Sequence, residues 1–174
     1  QVTSALSTVS VQDVACGYEF SLVCDTNGKC YSFGHSAYGQ LGHGHDGQHF
    51  EEGKRGIQHA CEYTPKLIER YVTKNTRGKV LSTVTHDSVH ITAVTAGKYH
   101  SLCLEDWTPQ GTVDSAVSCK NWNRVYSWGC GGYGRLGHNG ADDENMPREI
   151  EHFSAFLPPP NQATQVVQMN AQKQ

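Results

Sequence analysis

The stretch Val125-Tyr-Ser-Trp-Gly-Cys-Gly-Gly-Tyr-Gly-Arg-Leu-Gly-His138 occurs twice in this chain, because Cys30-Tyr-Ser-Phe-Gly-His-Ser-Ala-Tyr-Gly-Gln-Leu-Gly-His43 has the same pattern. The two copies, which we call cassettes, agree at a constant offset of 95 residues, as Tyr126 against Tyr31 illustrates. A fixed internal repeat outranks other sequence signals when a fold is assigned. The fold is therefore predicted from the two cassettes outward.

A strand pattern precedes each cassette. The residues from Val11 to Cys24 are rich in β-branched and apolar side chains and predict two short strands joined at Gly17. The stretch from Ile91 to Leu104 aligns with them. Asp25-Thr-Asn-Gly28 predicts a hairpin turn, since Asn-Gly supplies the positive φ that a tight turn needs. The pattern predicts an all-β chain.

A proline motif follows each cassette. Thr64-Pro-Lys-Leu-Ile68 matches Met146-Pro-Arg-Glu-Ile150, and proline is compatible with strand entry after a loop. Repeat one is thus predicted at about 11–68 and repeat two at about 91–150.

Two insertions interrupt the repeats. Residues 45–63 are rich in His, Gly, Gln and Glu and are expected to be loop-like or partly disordered, and 106–123 enlarge a hairpin tip. Downstream, 151–165 form a Pro-rich connection, and 166–174 are the expected truncated start of a third repeat.

Composition excludes several classes of function. The 174 residues carry a net charge of −3, so no global field recruits nucleic acid or an anionic membrane. No apolar run approaches the ~18 residues of a membrane span, and the first residues lack the features of a signal peptide. Gln1 stands in place of an initiator Met, which leaves a processed start or a fragment boundary open. Seven cysteines without a CxxC pair favour reduced thiols and an intracellular, reducing compartment, with cytoplasm, cytoskeleton and nucleus all open.

The motifs together resemble the regulator of chromosome condensation repeat family. Its pattern corresponds to Val94-Thr-Ala-Gly97 with His100-Ser101, then Val125-Tyr-Ser-Trp-Gly129, then Gly134-Arg-Leu-Gly137. The resemblance implies a seven-bladed β-propeller of four-stranded antiparallel blades. Two repeats cannot close such a ring, so we expect a partial propeller or a piece of a longer one.

The chain departs from the family pattern at three positions. Phe20 stands where the family has His, Phe33 where it has Trp, and Arg135 where it has Gln. Each change affects one copy only, so the fold prediction does not depend on it.

Two motifs resemble chemical sites, but the repeat accounts for their residues better. Gly129-Cys-Gly-Gly-Tyr-Gly134 satisfies GxGxxG, but no helix is expected after it to meet a pyrophosphate. His100 and Ser101 are adjacent on a strand and point to opposite faces, so we expect His100 to cap backbone carbonyls within a blade. No cofactor is predicted.

A zinc site is a weak alternative in the first insertion. Its candidate ligands are His45, His49, His59 and Cys61. Their spacing fits no zinc-finger pattern, and the alternative is a solvated polar loop.

Five residues are candidates for contact with a partner. Trp107 and Trp122 flank the enlarged hairpin tip and are candidate aromatic anchors, or pack its base. Asp142, Asp143 and Glu144 form a short acidic run, a candidate to hold a cation or to steer a basic partner. The alternative is a solvated loop.

The sequence favours a noncatalytic interaction or scaffolding module within a larger assembly, with specificity carried by the two insertions. The family resemblance implies two alternatives, which are guanine-nucleotide exchange on a small GTPase and an accessory propeller of a ubiquitin ligase. The expected partners are other proteins, and no catalytic residue is proposed.

Overall fold

The computed structural model describes residues 6–107 and 122–151. Its twelve strands, in chain order, are β1 (Val11–Cys16), β2 (Phe20–Asp25), β3 (Cys30–His35), β4 (Gln48–His49), β5 (Gln58–His59), β6 (Cys61–Leu67), β7 (Arg70–Lys74), β8 (Val80–Thr85), β9 (Ile91–Ala96), β10 (His100–Trp107), β11 (Trp122–Gly129) and β12 (Glu144–Glu149). The described part also contains two short 3₁₀ turns, His86–Ser88 and Gly132–Gly134. The all-β prediction is confirmed.

The strands form two blades. Strands β1, β2, β3 and β6 make a four-stranded antiparallel sheet in that order, which is the first blade. Strands β9, β10, β11 and β12 repeat this antiparallel order as the second blade. Strands β7 and β8 extend the second sheet beyond β12, to which β7 pairs in parallel through Val72 and Arg148.

The hairpin of β7 and β8 was not predicted from the sequence. Its turn nevertheless has the same construction as the predicted turn at Asp25. The Asn75 side chain accepts hydrogen bonds from the backbone N–H groups of Arg77 and Lys79, each at 3.0 Å. Gly78 supplies a φ of 76°, which glycine adopts without steric cost. A side-chain oxygen at the first turn position and glycine at the fourth are therefore the shared signal.

Both prolines of the repeated motif lie inside the outer strands. Pro65 is within β6 and Pro147 within β12, not at strand entry as predicted. In each blade the ladder shifts register there, between Ser32 and Gly34 in the first and between Ser127 and Gly129 in the second. Proline has no N–H to donate, so an irregular stretch of an outer strand tolerates it.

The blades share one apolar core, which we call the seam. Its buried side chains are Phe20, Leu22, Cys24, Cys30, Leu41 and Ile68 from the first repeat, Tyr71 and Val89 from the segment between the blades, and Ile91, Val94, Cys103, Tyr126 and Trp128 from the second. Burying one large apolar side chain stabilises the fold by roughly 1.5–3 kcal/mol. The seam is thus the principal apolar contact between the repeats.

Hydrogen bonds fix the position of one blade against the other. Trp128 Nε1 and Ser101 Oγ both donate to the backbone carbonyl of Gln40, each at 2.8 Å. At the same seam the Tyr18 N–H donates to the Lys98 carbonyl at 3.1 Å. The loop at the end of the first cassette therefore supplies the Gln40 carbonyl, which we call the socket, as the acceptor for two side chains of the second blade.

The prediction that His100 caps backbone carbonyls is wrong. Its Nδ1 has no hydrogen-bond partner, and the ring lies over Gly97, where a Cβ would be 2.0 Å from Cε1. Phe20 covers Gly17 in the same way in the first repeat, with its Cε1 at 1.9 Å from a Cβ. The glycine is required because an aromatic or imidazole ring occupies the space of its side chain.

Each cassette closes on itself through a serine and a histidine. Ser32 Oγ donates to the Leu41 carbonyl at 2.6 Å and pairs with His43 Nε2 at 2.9 Å. In the second cassette Ser127 Oγ does the same with Leu136 and His138 at the same two distances. In both cassettes the serine and the histidine are engaged in hydrogen bonds within the loop. The repeated histidine is therefore a structural element of the glycine loop.

Candidate interaction surface

The antiparallel order places two kinds of connection at opposite ends of each blade. At one end, which we call the loop end, the Cys130 N–H donates to the Tyr99 carbonyl at 2.8 Å, joining the β9–β10 turn to the second glycine loop. At the other end Trp107 pairs with Trp122, where β10 ends and β11 begins. The two predicted insertions therefore depart from opposite ends of the blades.

A cluster of tyrosines lies at the loop end, across the top of the seam. The Tyr99 ring contacts Tyr18 edge-on with centroids 5.7 Å apart, and Tyr38 at 4.9 Å. Lys98 Nζ lies 5.2 Å from the Tyr18 centroid and 5.0 Å from that of Tyr99, within the range of cation–π attraction. Tyr18, Tyr38 and Lys98 are exposed. The cluster therefore presents aromatic surface to solvent, and the contacts among its own side chains hold it in place.

The first insertion is a small ribbon on a rigid base. Ser36 Oγ lies 2.8 Å from the Asp46 carbonyl and 2.7 Å from the Ala60 carbonyl, which holds the two ends of the insertion together. Between them β4 and β5 pair antiparallel. The loop-like expectation holds for residues 45–47, 50–57 and 60. Residues 48–49 and 58–59 form the paired strands β4 and β5, and β6 begins at Cys61, inside the predicted insertion.

The tip of this ribbon carries exposed apolar side chains. Phe50 is 83% exposed and Ile57 50% exposed. At the base, the His35 and His59 rings meet with centroids 5.9 Å apart, which attaches the ribbon to the end of β3. Between Phe50 and Ile57 lie the exposed charged residues Glu51, Glu52, Lys54 and Arg55. An anchored ribbon that exposes an aromatic and an aliphatic side chain beside these charges is suited to contact another protein, since aromatic anchors carry much of the energy of protein interfaces.

Two of the four candidate zinc ligands, His49 and His59, are directed at backbone carbonyls of the ribbon itself. His59 Nδ1 lies 2.9 Å from the Asp46 carbonyl and His49 Nδ1 lies 3.1 Å from the Gly47 carbonyl. His45 stacks loosely near His43, and Cys61 is exposed. Within 6–107 and 122–151, no group of three or more His, Cys, Asp or Glu side chains is arranged to hold a metal ion.

Glu144 is not the solvated carboxylate that its acidic neighbours suggest. It is buried, and it forms ion pairs with Arg148 Nη1 at 2.8 Å and with Lys74 Nζ of the unpredicted hairpin. Arg148 Nη2 also donates to the Asn75 carbonyl at 3.2 Å. Glu144 therefore attaches the hairpin to β12, and its role in the described structure is internal.

Asp142 and Asp143 are exposed, as expected. Asp143 Oδ1 accepts a hydrogen bond from the Gly131 N–H at 2.7 Å, so it also orders the glycine loop. Both line a cleft of about 380 Å³ that reaches Arg77 at the tip of the hairpin. Both positively and negatively charged side chains line the cleft. Its charge therefore favours neither an anionic nor a cationic ligand.

The GxGxxG run from Gly129 to Gly134 leads into the 3₁₀ turn Gly132–Gly134 and not into an α-helix. Gly131 is required by packing, because a Cβ there would be 1.8 Å from the Asp142 carbonyl oxygen. These glycines thus have structural reasons that do not involve a nucleotide.

The aromatic candidates of the second insertion are only partly described. Trp107 and Trp122 lie in β10 and β11 and are register partners in that antiparallel pair. Residues 108–121, which complete this insertion, lie outside the described residues, as do 152–174. None of the described helical turns has the length and apolarity needed to cross a membrane.

The four-stranded antiparallel blades and the seam between them place this chain among tandem-repeat β-propeller proteins. A model of the regulator of chromosome condensation (RCC1) repeat matches residues 27–104 and 123–169, and a second model of that repeat matches 11–40. The chain belongs to the RCC1 repeat family.

Among curated proteins, the chain is 37% identical over 143 residues to the protein RCC2 homolog of Xenopus laevis, covering 82% of this chain and 24% of that protein. It is 27% identical over 154 residues to the human E3 ubiquitin-protein ligase HERC2, covering 88% of this chain and 2% of the ligase. The chain spans about a quarter of the length of the RCC2 proteins that it matches.

Among solved structures, yeast RCC1 (Prp20) bound to Kap60 is similar, with a TM-score of 0.51 and 19% identity over 84% of this chain and 26% of that one. Prp20p of Saccharomyces cerevisiae, whose structure was described with its binding to Gsp1p and histones, gives the same TM-score. The described chain is a partial propeller of this type.

Proposed function

We propose that this chain is a noncatalytic protein-interaction module whose contact surface is the loop end of its blades. The observation that carries the proposal is the exposed apolar tip of the ribbon, at Phe50 and Ile57, on a base fixed by Ser36. A rigid base lowers the entropy lost when the tip binds, which favours affinity.

The tyrosine cluster adds a second contact element at the same end. Tyr18, Tyr38 and Tyr99 hold one another in place, so they bind with little further loss of side-chain freedom. Aromatic residues are enriched in interface centres. The proposed partner is a protein that covers the ribbon tip and this cluster together.

The thiols support a place in a reducing compartment. Cys24 and Cys30 are partners on neighbouring antiparallel strands, and both are buried free thiols. Burial raises the pKa of Cys24 to about 11, with Asp13 adding to the effect. We propose an intracellular, reducing compartment, because the seven cysteines are odd in number and include no CxxC pair.

The test is quantitative affinity capture with the full chain and two matched double variants. Phe50→Ser with Ile57→Ser removes the ribbon tip, and Val80→Ser with Leu81→Ser removes two exposed apolar residues of β8. We expect the ribbon variant to lose partners that the β8 variant retains. Equal retention by both variants would overturn the proposal, and accelerated nucleotide release from a small GTPase by the chain would replace it with exchange activity.

A further inference from the structure

Strand β8 forms one edge of the six-stranded sheet, and β9 forms the other. The inner side of β8 pairs with β7, and within residues 6–107 and 122–151 no strand pairs with its outer side. The blades of this chain meet through the side chains of the seam, which is a contact between sheet faces. A further blade packed in the same way would cover a face and would leave the edge at β8 open.

The backbone of β8 directs hydrogen-bonding groups outward at two threonines. The His86 N–H donates to the Glu69 carbonyl at 2.9 Å, so these two residues form a hydrogen-bonded pair of the antiparallel ladder. Hydrogen-bonded and non-hydrogen-bonded pairs alternate along such a ladder. Counting from that pair, Thr85 and Thr83 fall in non-hydrogen-bonded pairs with β7. Their N–H and C=O groups therefore point to the open edge.

The composition of β8 does not protect this edge. Proteins commonly protect an exposed edge strand with a lysine or a proline inside it. The strand from Val80 to Thr85 contains neither residue and no charge, and Leu81 is 62% exposed. One protective feature is present, a register shift between Thr73 and Lys74 that lies opposite the first residues of β8. The remainder of β8, with both outward-facing threonines, is suited to accept another strand.

Charges of opposite sign flank β8. Lys79 precedes the strand, is exposed, and has no side-chain partner among the described residues. Asp87 follows the strand within the 3₁₀ turn. Its Oδ1 lies 3.1 Å from Nε2 of the adjacent His86, and its side chain is still 72% exposed. An antiparallel copy of the same strand therefore meets a charge opposite to its own at each end.

We propose that the outer edge of β8 pairs antiparallel with β8 of a second copy of this chain, about a two-fold axis at Thr83. Pairing Thr83 with its counterpart joins two outward-facing residues, as a hydrogen-bonded ladder pair requires. The same register places Lys79 of each copy opposite Asp87 of the other, since each lies four residues from Thr83. Backbone register and charge thus agree on one arrangement.

This contact is a closed and weak one. It uses the same patch on both copies, so association stops at a dimer. Two paired strands of six residues bury less area than the roughly 1,600 Å² of a standard stable interface, so the dimer dissociates on dilution. The contact involves the β7–β8 hairpin alone and is independent of the ribbon and of the tyrosine cluster.

The sharpest test exchanges the two flanking charges. Asp87→Lys places lysine opposite lysine twice in the dimer, and Lys79→Asp places carboxylate opposite carboxylate twice. Each single variant should raise the dissociation constant of the dimer about tenfold. The double variant, Lys79→Asp with Asp87→Lys, restores opposite charges and should return this constant to within about threefold of the wild type. Sedimentation velocity of the full chain over a range of concentrations measures all four proteins.

A second test acts on the backbone. Thr83→Pro removes an N–H that points to the open edge and keeps the hydrogen bonds between β8 and β7, so it should abolish the dimer. Thr83→Ala keeps the N–H and is the matched control, which should dimerise as the wild type does. The charge variants lie at exposed positions, so they remain informative if the proline disrupts the hairpin.

A chain that stays monomeric at every concentration up to about 1 mM would overturn the proposal. Single charge variants that dimerise as well as the wild type would do the same, as would a double variant that remains as weak as the single ones. Dimerisation of a folded Thr83→Pro variant at wild-type strength would assign the contact to another surface.

Discussion

The two glycine loops have nearly the same sequence and very different surroundings. Gly39 and Gly134 both have a φ of 71°. A Cβ on Gly39 would be 2.1 Å from Asn145 Oδ1 of the second blade, whereas the nearest atom to a Cβ on Gly134 is 3.8 Å away. The glycine at this position thus meets two separate requirements, a positive φ within the loop and close approach by the next blade, and only the first loop needs both.

The same contrast extends to the tyrosine of each loop. Tyr38 is 38% exposed and contacts Tyr99, whereas Tyr133 is fully exposed. Differences between the repeats therefore measure what a neighbouring blade contributes, because the local sequence is held nearly constant. Paired substitutions at equivalent positions separate the contribution of the seam from that of the blade itself.

The largest effect is expected for the paired leucines of β2 and β10. Leu22→Ala should lower the free energy of unfolding by about 4 kcal/mol, because it leaves a cavity in a fully buried site. Leu102→Ala should cost about 1 kcal/mol, since that side chain is partly exposed. Urea unfolding of the two variants measures both costs. Equal costs would mean that burial in the seam does not account for the difference.

The paired glycines follow. Gly39→Ala should cost about 3 kcal/mol, from the positive φ and from overlap with Asn145. Gly134→Ala is strained by the positive φ alone, without overlap with a neighbour, and should lower the free energy of unfolding by about 1 kcal/mol. Thermal unfolding of the two variants gives the comparison, and a Gly134→Ala cost as large as that of Gly39→Ala would contradict it.

Tyr126 and Tyr31 are buried tyrosines whose carboxylate partners, Glu105 and Asp25, differ in the other hydrogen bonds that they accept. Tyr126 Oη donates to Glu105 Oε2 at 2.8 Å, and burial raises the pKa of this carboxyl. Tyr126→Phe removes that donor from a carboxylate that is 1% exposed and should cost about 2 kcal/mol.

Tyr31→Phe is the matched control for Tyr126→Phe. Its hydroxyl lies 3.4 Å from Asp25 Oδ2, and Asp25 Oδ1 keeps two backbone N–H donors at 2.9 Å. We therefore expect a cost below about 0.5 kcal/mol. Equal costs in chemical denaturation would show that the backbone donors at Asp25 do not compensate.

The smallest effect concerns pH. Burial, with a smaller contribution from Lys66, lowers the pKa of His43 to about 4, despite Glu62 4.0 Å away. Between pH 6.5 and 4 the unfolded chain binds a proton that the folded chain does not, so the free energy of unfolding falls as pH falls. We expect a loss of about 1 kcal/mol between pH 6.5 and 5.5.

The control for the pH effect replaces two histidines in turn. His43→Gln should reduce this slope, whereas His49→Gln, on the exposed ribbon, should keep it. An unchanged slope in His43→Gln would assign the pH dependence to other groups.

Much of the fold could be predicted from the repeat, because its determinants are local. The strands of each blade and the turn at Asn27-Gly28 follow from side-chain alternation and backbone preferences within a few residues. The β7–β8 hairpin was missed although Asn75 and Gly78 carry the same turn chemistry as Asp25 and Gly28. Its strands were not matched to a second copy in the sequence, so the internal repeat gave no signal for them.

The surface was less predictable, because burial depends on residues distant in sequence. Glu144 and Lys74 are separated by 70 residues, so the sequence around Glu144 gives no indication of this ion pair. Phe50 and Ile57 were within a segment recognised for its polar composition, so their exposure at a ribbon tip required knowledge of the Ser36 anchor. Asp142 and Asp143, whose surroundings are local, lie at the surface as expected.

The socket at Gln40 also has a consequence for the order of folding. The hydrogen bonds that it accepts join residues 61 and 88 positions apart in the chain, whereas the turn at Asp25 closes over four residues. Closing the longest of these loops costs about 3 kcal/mol more chain entropy than closing the turn. The hairpins should therefore form first and the blades should dock in the rate-limiting step, with burial of the Trp128 indole marking its completion.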